Sequence, residues 1–178
     1  MQPYRYAIGI GSNRRHGRHG SPAAVVRAAM AALDALGVRL IGRSPVIATP
    51  ALGPAGRSFA NAAILVESRL DPPALLALLK GVEAAFGRRR GRRWGARVLD
   101  LDILLWSAGR WSRRGGQGHA RGLAVPHREL QRRDFVLRPL LAIAPDWRVG
   151  SGARTVRHAR ARLVRGPLVQ TGLIPGAG

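Results

Sequence analysis

The chain has 178 residues, 46% of them hydrophobic, which is enough for one domain with a full core and too few for two comfortable ones. It contains no cysteine, which excludes disulfides and thiolate metal sites, and no apolar run approaches the roughly 20 residues of a membrane span. Thirty basic against nine acidic residues leave a net charge of +21, which suits polyanionic partners, either nucleic acid or a phosphate-rich small molecule. Lys80 is the only lysine, and a chain crowded with Arg, Ala, Gly and Pro is also what a GC-rich coding sequence yields, so the charge argues only weakly for nucleic acid. The N-terminus enters a strand-like segment directly with no signal-peptide core, so a cytoplasmic protein is expected. The expected organisation is a single domain over residues 1–165 and a basic, flexible tail over 166–178, the last seven residues disordered.

In chain order, residues 6–12 form a short apolar run that reads as a strand. Its end, Gly9-Ile10-Gly11-Ser12, lacks the third glycine of a dinucleotide fingerprint and reads as a turn. Residues 14–20 are a polar, glycine-broken loop in which His16 and His19 read as solvated. Ser21-Pro22 supplies an N-cap with proline at the first helical position, and Val25, Val26, Ala29, Met30, Leu33 and Leu36 recur at helical spacing until Gly37. Residues 38–49 alternate as a second strand and 59–67 read as a third. Asp71-Pro72 opens a second helix, with Leu75, Leu76, Leu78, Leu79, Val82 and Phe86 on its buried face and Gly87 at its end. An arginine-rich loop over 88–97 leads into a fourth strand, and residues 110–122 form a glycine-rich connection. A short helix after Val125-Pro126-His127, an apolar helix over 135–144 and a peripheral helix over 156–163 follow. This order describes an α+β, ferredoxin-like sandwich: a four-stranded antiparallel sheet in split βαβ order, helices packed on it, and short extra C-terminal helices.

The fourth strand carries the most informative pattern. Side chains two apart share a face, so Asp100 and Asp102 project together while Leu99, Leu101 and Ile103 line the opposite face. Two carboxylates about 6 to 7 Å apart repel each other and resist desolvation unless a cation compensates them. Mg²⁺ accepts one or two protein carboxylates and completes its shell with water and phosphate oxygens, so one reading is metal-assisted phosphoryl chemistry. The other is a polar strand face, solvated or paired with arginines.

Further groups stand near this strand. Arg88, Arg89, Arg90, Arg92, Arg93 and Arg97 surround Trp94, either as a solvated basic loop or as guanidinium groups folding over a triphosphate. Arg97 stands just before the strand, free to swing toward the carboxylates. His127, at a helix start ahead of Arg132 and Arg133, suits a phosphate or serves as a surface cap. Phe59 and Asn61 share a strand face, where a ring and an amide suit a flat heterocycle, although a strand Asn also pairs with backbone.

Several motifs then occur in order: Gly11-Ser12-Asn13, Thr49-Pro50 with Leu52-Gly53-Pro54, residues 59–62, Glu83 with Gly87-Arg88, Arg93-Trp94-Gly95-Ala96-Arg97 running into Asp100-Leu101-Asp102, Val125-Pro126-His127, and residues 133–140. Over residues 6–148 the chain resembles the 6-hydroxymethyl-7,8-dihydropterin pyrophosphokinases of folate biosynthesis. The resemblance implies the fold reached above and transfer of pyrophosphate from ATP to the pterin hydroxymethyl group, with release of AMP. It also implies roles. Asp100 and Asp102 would hold two Mg²⁺ ions, and Arg88 and Arg97 would follow the transferring group. His127 and Arg133 would bind ATP phosphates, with Glu83 and Ile103 on the nucleotide side. Thr49, Pro50 and Leu52 would border the pterin, Asn61 would hydrogen-bond it, Phe59 and Phe135 would flank its ring, and Trp94 would close over it. Ala96, Val98 and Arg128 depart from the usual proline, threonine, and proline or tyrosine.

The competing class is a nucleic-acid-binding module on a ferredoxin-like sheet, which needs exposed aromatics on its central strands. Only Phe59 stands on one, and two aspartates repel phosphates, so nucleic acid is not favoured as a partner.

Overall fold

Ser21-Pro22 and Asp71-Pro72 each place a capping oxygen before a proline, and in the computed structural model each opens a 14-residue helix. The structure describes residues 2–49, 58–87, 98–112, 122–150 and 152–166. In α1 (Pro22–Ala35) the Ser21 hydroxyl accepts from the Ala24 N–H, and in α2 (Pro72–Ala85) the Asp71 carboxylate accepts from the Ala74 N–H. Proline at the first helical position sacrifices no backbone bond, because that N–H has no intrahelical partner. Gly37 and Gly87, just beyond the two helices, take φ values of 80° and 77° that other residues rarely adopt.

Five strands form one antiparallel sheet: β1 (Tyr4–Ser12), β2 (Arg39–Arg43), β3 (Ile47–Thr49), β4 (Phe59–Ser68) and β5 (Asp100–Trp106). The order is β2-β4-β1-β5, with β3 pairing the opposite end of β4 from β2. Taking β2 and β3 as one interrupted strand, this is the expected ferredoxin-like arrangement.

Two local expectations are corrected. The single strand expected over 38–49 is divided at Ser44-Pro45, since Pro45 has no N–H to give the ladder. Ser44 bridges the gap. Its N–H donates to the Ala63 carbonyl, and its hydroxyl accepts from the Ala63 N–H, both at 2.9 Å, so a side chain replaces one backbone acceptor. The turn expected at residues 9–12 is instead the end of β1, fully paired: Gly9 opposes Ala63 and Asp102, and Gly11 opposes Asn61 and Asp100.

The first sheet face buries Ile8, Ile10, Ile64, Val66, Leu99, Leu101 and Ile103 against α1 and α2. The second face carries helices too. In α3 (Asp134–Leu141) and α4 (Val156–Arg165), Leu137, Leu140, Val156 and Ala159 pack with Ala7, Ala63, Leu104 and Leu105. The helix expected over 156–163 is therefore part of a second core rather than peripheral. A bulge serves this core: Ala7 pairs with Leu105 and Ile8 with Ile103, so Leu104 is an extra residue and both leucines face α3 and α4. At the far end of the same face Glu67 ties three strands together, through Arg5 at 3.4 Å and through Arg39. A two-stranded ribbon, β6 (Trp111–Ser112) and β7 (Ala124–Val125), follows β5. Most of the glycine-rich connection and all of the tail beyond Gly166 lie outside the described residues.

Candidate active site

The candidate site is built across three neighbouring strands of the second face. Register places Asn61 of β4, Gly11 of β1 and Asp100 of β5 in one row, and Ala63, Gly9 and Asp102 in the next. Asp100 and Asp102 are partly exposed while Leu99, Leu101 and Ile103 are buried, so the strand has the alternation its sequence requires. Between the acids and the amide stand Gly11, which adds no side chain, and Gly9, over which the Leu104 side chain lies. A Cβ at Gly11 would stand 3.3 Å from Asn61 Oδ1, and one at Gly9 would stand 3.3 Å from a Leu104 methyl. A flat ligand can therefore approach the β1 backbone between a carboxylate pair and an amide.

Asn61 is 7% exposed and its orientation is set from within, because its Nδ2 donates to Thr49 Oγ1 at 2.8 Å. That bond turns the amide oxygen toward Gly11. Phe59, two residues earlier on β4, stands on the same face opposite Thr49. Thr49, Phe59 and Asn61 thus come together on β3 and β4. Phe135 stands in the first turn of α3, which packs over β4 and reaches β3, and the Arg133 guanidinium lies 5.8 Å from the Phe135 ring centroid.

His127 is tethered to the carboxylate strand through its N–H, which donates to the Leu104 carbonyl at 3.0 Å. Its Nδ1 accepts from the Glu129 N–H at 3.2 Å, which leaves Nε2 as the protonated nitrogen of the neutral ring. The helix expected to begin here is a three-residue 3-10 turn, Leu130–Arg132. Reading His127 as part of a helix N-terminus that attracts phosphate is therefore corrected: one turn aligns too few peptide dipoles.

The side chains of two residues expected beside the nucleotide are buried. Ile103 is 2% exposed, its side chain in the core under α1 and α2. Glu83 is 1% exposed, and its Oε1 accepts from Lys80 Nζ and from the Leu101 N–H, each at 2.7 Å. Glu83 therefore supports the strand between the two aspartates. Arg88, Arg97, Trp94, Pro50 and Leu52 lie outside the described residues.

His16 and His19 are not the solvated pair expected. Their rings stack at 4.8 Å, and His19 stacks on Phe86 at 4.8 Å, beside the end of α2. Desolvation, then the nearby His16 and Arg18, hold the His19 pKa below its ordinary value. Gly9, Gly11 and Lys80 escaped sequence reasoning as site residues. Two glycines at period two in an apolar run, matching two aspartates at period two, were the available signal.

Among the described residues no three His, Cys, Asp or Glu side chains come together as a metal cluster. Two hard carboxylate donors on one partly exposed face still fit Mg²⁺, which completes its shell with water and substrate oxygens.

These features define a class: a ferredoxin-like domain that sets an amide and paired carboxylates on one sheet face, on either side of a glycine of the central strand. The model of the 7,8-dihydro-6-hydroxymethylpterin-pyrophosphokinase (HPPK) family matches residues 7–145, and the chain belongs to that family. A Methylorubrum extorquens protein described as 2-amino-4-hydroxy-6-hydroxymethyldihydropteridine pyrophosphokinase is 40% identical over 161 residues, covering 89% of this chain and 93% of that protein. A Pseudomonas aeruginosa protein of the same description is 35% identical over 175 residues, covering 97% and 98%. A crystal structure of Plasmodium falciparum HPPK-DHPS with pterin and p-hydroxybenzoate is similar at a TM-score of 0.70 and 11% identity. That likeness covers 92% of this chain but only 44% of the longer one, and it shows the fold alone.

Proposed function

We propose that this part of the sheet face is where this chain carries out its family's reaction. The chain is an ATP pyrophosphotransferase: it transfers pyrophosphate from ATP to the hydroxymethyl group of 6-hydroxymethyl-7,8-dihydropterin, giving the pterin diphosphate and AMP in folate biosynthesis. Both substrates are small molecules. A bond forms from the hydroxymethyl oxygen to the β-phosphorus as the bond from that phosphorus to the AMP oxygen breaks.

The observation that carries the site assignment is the row Asn61, Gly11, Asp100 across β4, β1 and β5. Asn61, pre-set by Thr49, reads the edge of the pterin, and the absence of a side chain at Gly11 lets the ring lie close. Phe59 and Phe135 flank that ring, with Pro50, Leu52 and Trp94 completing its border. Asp100 and Asp102 hold two Mg²⁺ ions, which when bound neutralise the triphosphate and stabilise the entering and leaving oxygens. His127, fixed by its bond to Leu104, and Arg133 meet the ATP phosphates, and Arg88 and Arg97 neutralise charge on the transferring group. The catalytic unit is the single domain 1–165, in the cytoplasm; among the described residues no helix is long and apolar enough to cross a membrane.

The test is AMP formation from ATP and 6-hydroxymethyl-7,8-dihydropterin with Mg²⁺. Strict dependence on the pterin is expected. Pterin-independent ATP turnover, combined with tight and salt-sensitive binding of single-stranded RNA, would overturn the reading in favour of a nucleic-acid module.

A further inference from the structure

We propose that Lys80 and Glu83 form a clamp on the outer edge of β5 that sets the carriage of Asp100 and Asp102, making Lys80 a positioning residue for pyrophosphoryl transfer. The proposal rests on the role given above to the two aspartates.

The edge of the sheet creates the need. Among the described residues β5 has β1 on one side and no strand on the other, so its outward peptide groups have no ladder partner there. The residue concerned is Leu101, between the two aspartates. Its N–H donates to Glu83 Oε1 at 2.7 Å, and its carbonyl accepts from Lys80 Nζ at 3.3 Å. Lys80 closes the ring by donating to the same Glu83 oxygen at 2.7 Å. One turn of α2 thus replaces the missing neighbour strand at the one residue flanked by both acids.

The chemistry of the pair explains its composition. Glu83 is 1% exposed, and a carboxylate buried to that degree needs a compensating charge as well as hydrogen bonds. Lys80, whose side chain is 21% exposed, supplies it. In a chain whose basic residues are otherwise all arginine, the sole lysine occupies this place. A compact ammonium reaches a carboxylate and a carbonyl at once from the same helix turn, whereas a planar guanidinium presents a wider fork. Fixing the Leu101 peptide fixes the directions of both neighbouring side chains, since successive Cβ atoms on a strand point to opposite faces from one backbone.

The test compares the full-length wild type with Lys80→Met, Glu83→Gln and the double variant Lys80→Met/Glu83→Gln. Three quantities are read: the half-saturating Mg²⁺ concentration for AMP formation, the KM for the pterin, and hydrogen exchange of the Leu101 amide in the absence of ligands. Lys80→Met is expected to raise the Mg²⁺ requirement about tenfold, as loss of a residue supporting a metal ligand does. It should also speed Leu101 exchange roughly tenfold through loss of a charge-assisted hydrogen bond, with the pterin KM unchanged. In the double variant a neutral amide oxygen still accepts from Leu101 and no buried charge is left, so both quantities should return toward the wild type. Wild-type Mg²⁺ dependence and Leu101 protection in Lys80→Met would overturn the proposal. So would an equal rise in Mg²⁺ requirement and pterin KM with a lowered melting temperature, the signature of a merely structural residue. If Lys80→Met does not fold, Glu83→Ala, which takes away the acceptor of the Leu101 N–H, decides: faster Leu101 exchange supports the clamp, and unchanged exchange overturns it. If the wild type forms no AMP, the reading of the reaction fails, while the exchange measurements still judge the clamp.

Discussion

Two ends of one sheet face have been put to opposite uses. At the covered end Ala7, Ala63, Leu104 and Leu105 lie under Leu137, Leu140, Val156 and Ala159, and the space above the strands is filled with the chain's own apolar atoms. Two to five residues along the same strands, Gly11, Asn61, Asp100 and Asp102 occupy the same face with small or polar groups. The strands and their antiparallel pairing are the same at both ends, with one bulge, at Leu104, on the covered side. What differs is how much volume each side chain supplies and whether its polar atoms need a partner from outside the sheet.

The strongest way to break the contrast is at the acids. Asp100→Ala or Asp102→Ala should lower AMP formation by roughly a hundred- to a thousandfold, the scale of losing a preorganised electrostatic contact. The melting temperature of Asp102→Ala should hold or rise, because the change relieves carboxylate repulsion. Wild-type turnover in either variant would make the pair structural.

At the covered end the signs exchange. Leu137→Ala leaves a cavity above the strands and should cost about 2 to 5 kcal/mol, lowering the melting temperature by roughly 4 to 20 °C for a chain of this size. Turnover per folded molecule at 20 °C should persist. A selective loss of turnover would mean that the packing of Leu137 sets the position of Phe135 at the start of the same helix, and the two ends are not separate.

The glycine between the acids and the amide gives a sharper probe. Gly11→Val puts branched atoms beside Asn61 Oδ1, where even a Cβ lies at 3.3 Å. The pterin KM should rise about ten- to a hundredfold, the range for one misfitting group in a pocket. Stability should not fall, since a β-branched residue suits a strand better than glycine does. An unchanged KM would place the pterin elsewhere.

The smallest effect belongs to the far end, where a hydrogen bond from Arg39, against some desolvation and aided by the charges of Arg39 and Arg5, holds the Glu67 carboxyl below its ordinary pKa. A lowered folded pKa stabilises the protein above the unfolded carboxyl value of about 4.3, and that stability is lost as pH falls through the folded value. The melting-temperature difference between the wild type and Glu67→Gln should therefore be greatest near neutrality, begin to shrink near that pH and vanish in stronger acid. A difference independent of pH would show that the ion pairs contribute nothing through charge.

Local signals were legible in the sequence where one short segment holds the whole cause. Ser21-Pro22, Asp71-Pro72, Gly37 and Gly87 mark helix ends because caps and positive φ are properties of a few consecutive residues. Asp100 and Asp102 were legible because period two is enough to put them on one face. The rest depends on partners distant in sequence. That Ser44 would stand in for a backbone carbonyl requires knowing that Ala63 lies opposite. That Gly9 and Gly11 are strand and not turn requires the registers of two other strands. The Leu101 bond to Glu83 joins residues 18 apart through tertiary packing. Helices over half of the second face follow from docking that no hydrophobic period specifies.

The bulge at Leu104 separates two design variables of this protein. Since Ile103 opposes Ile8 and Leu105 opposes Ala7, removing the extra residue would leave every other side chain of β5 on its present face. Asp100 and Asp102 would still share their present face. What would go is the partition: Leu104 stands against Gly9, and its carbonyl anchors His127. One residue thus sets where the apolar core ends on this face without rotating the two acids beyond it, so the boundary and the reactive edge are specified separately.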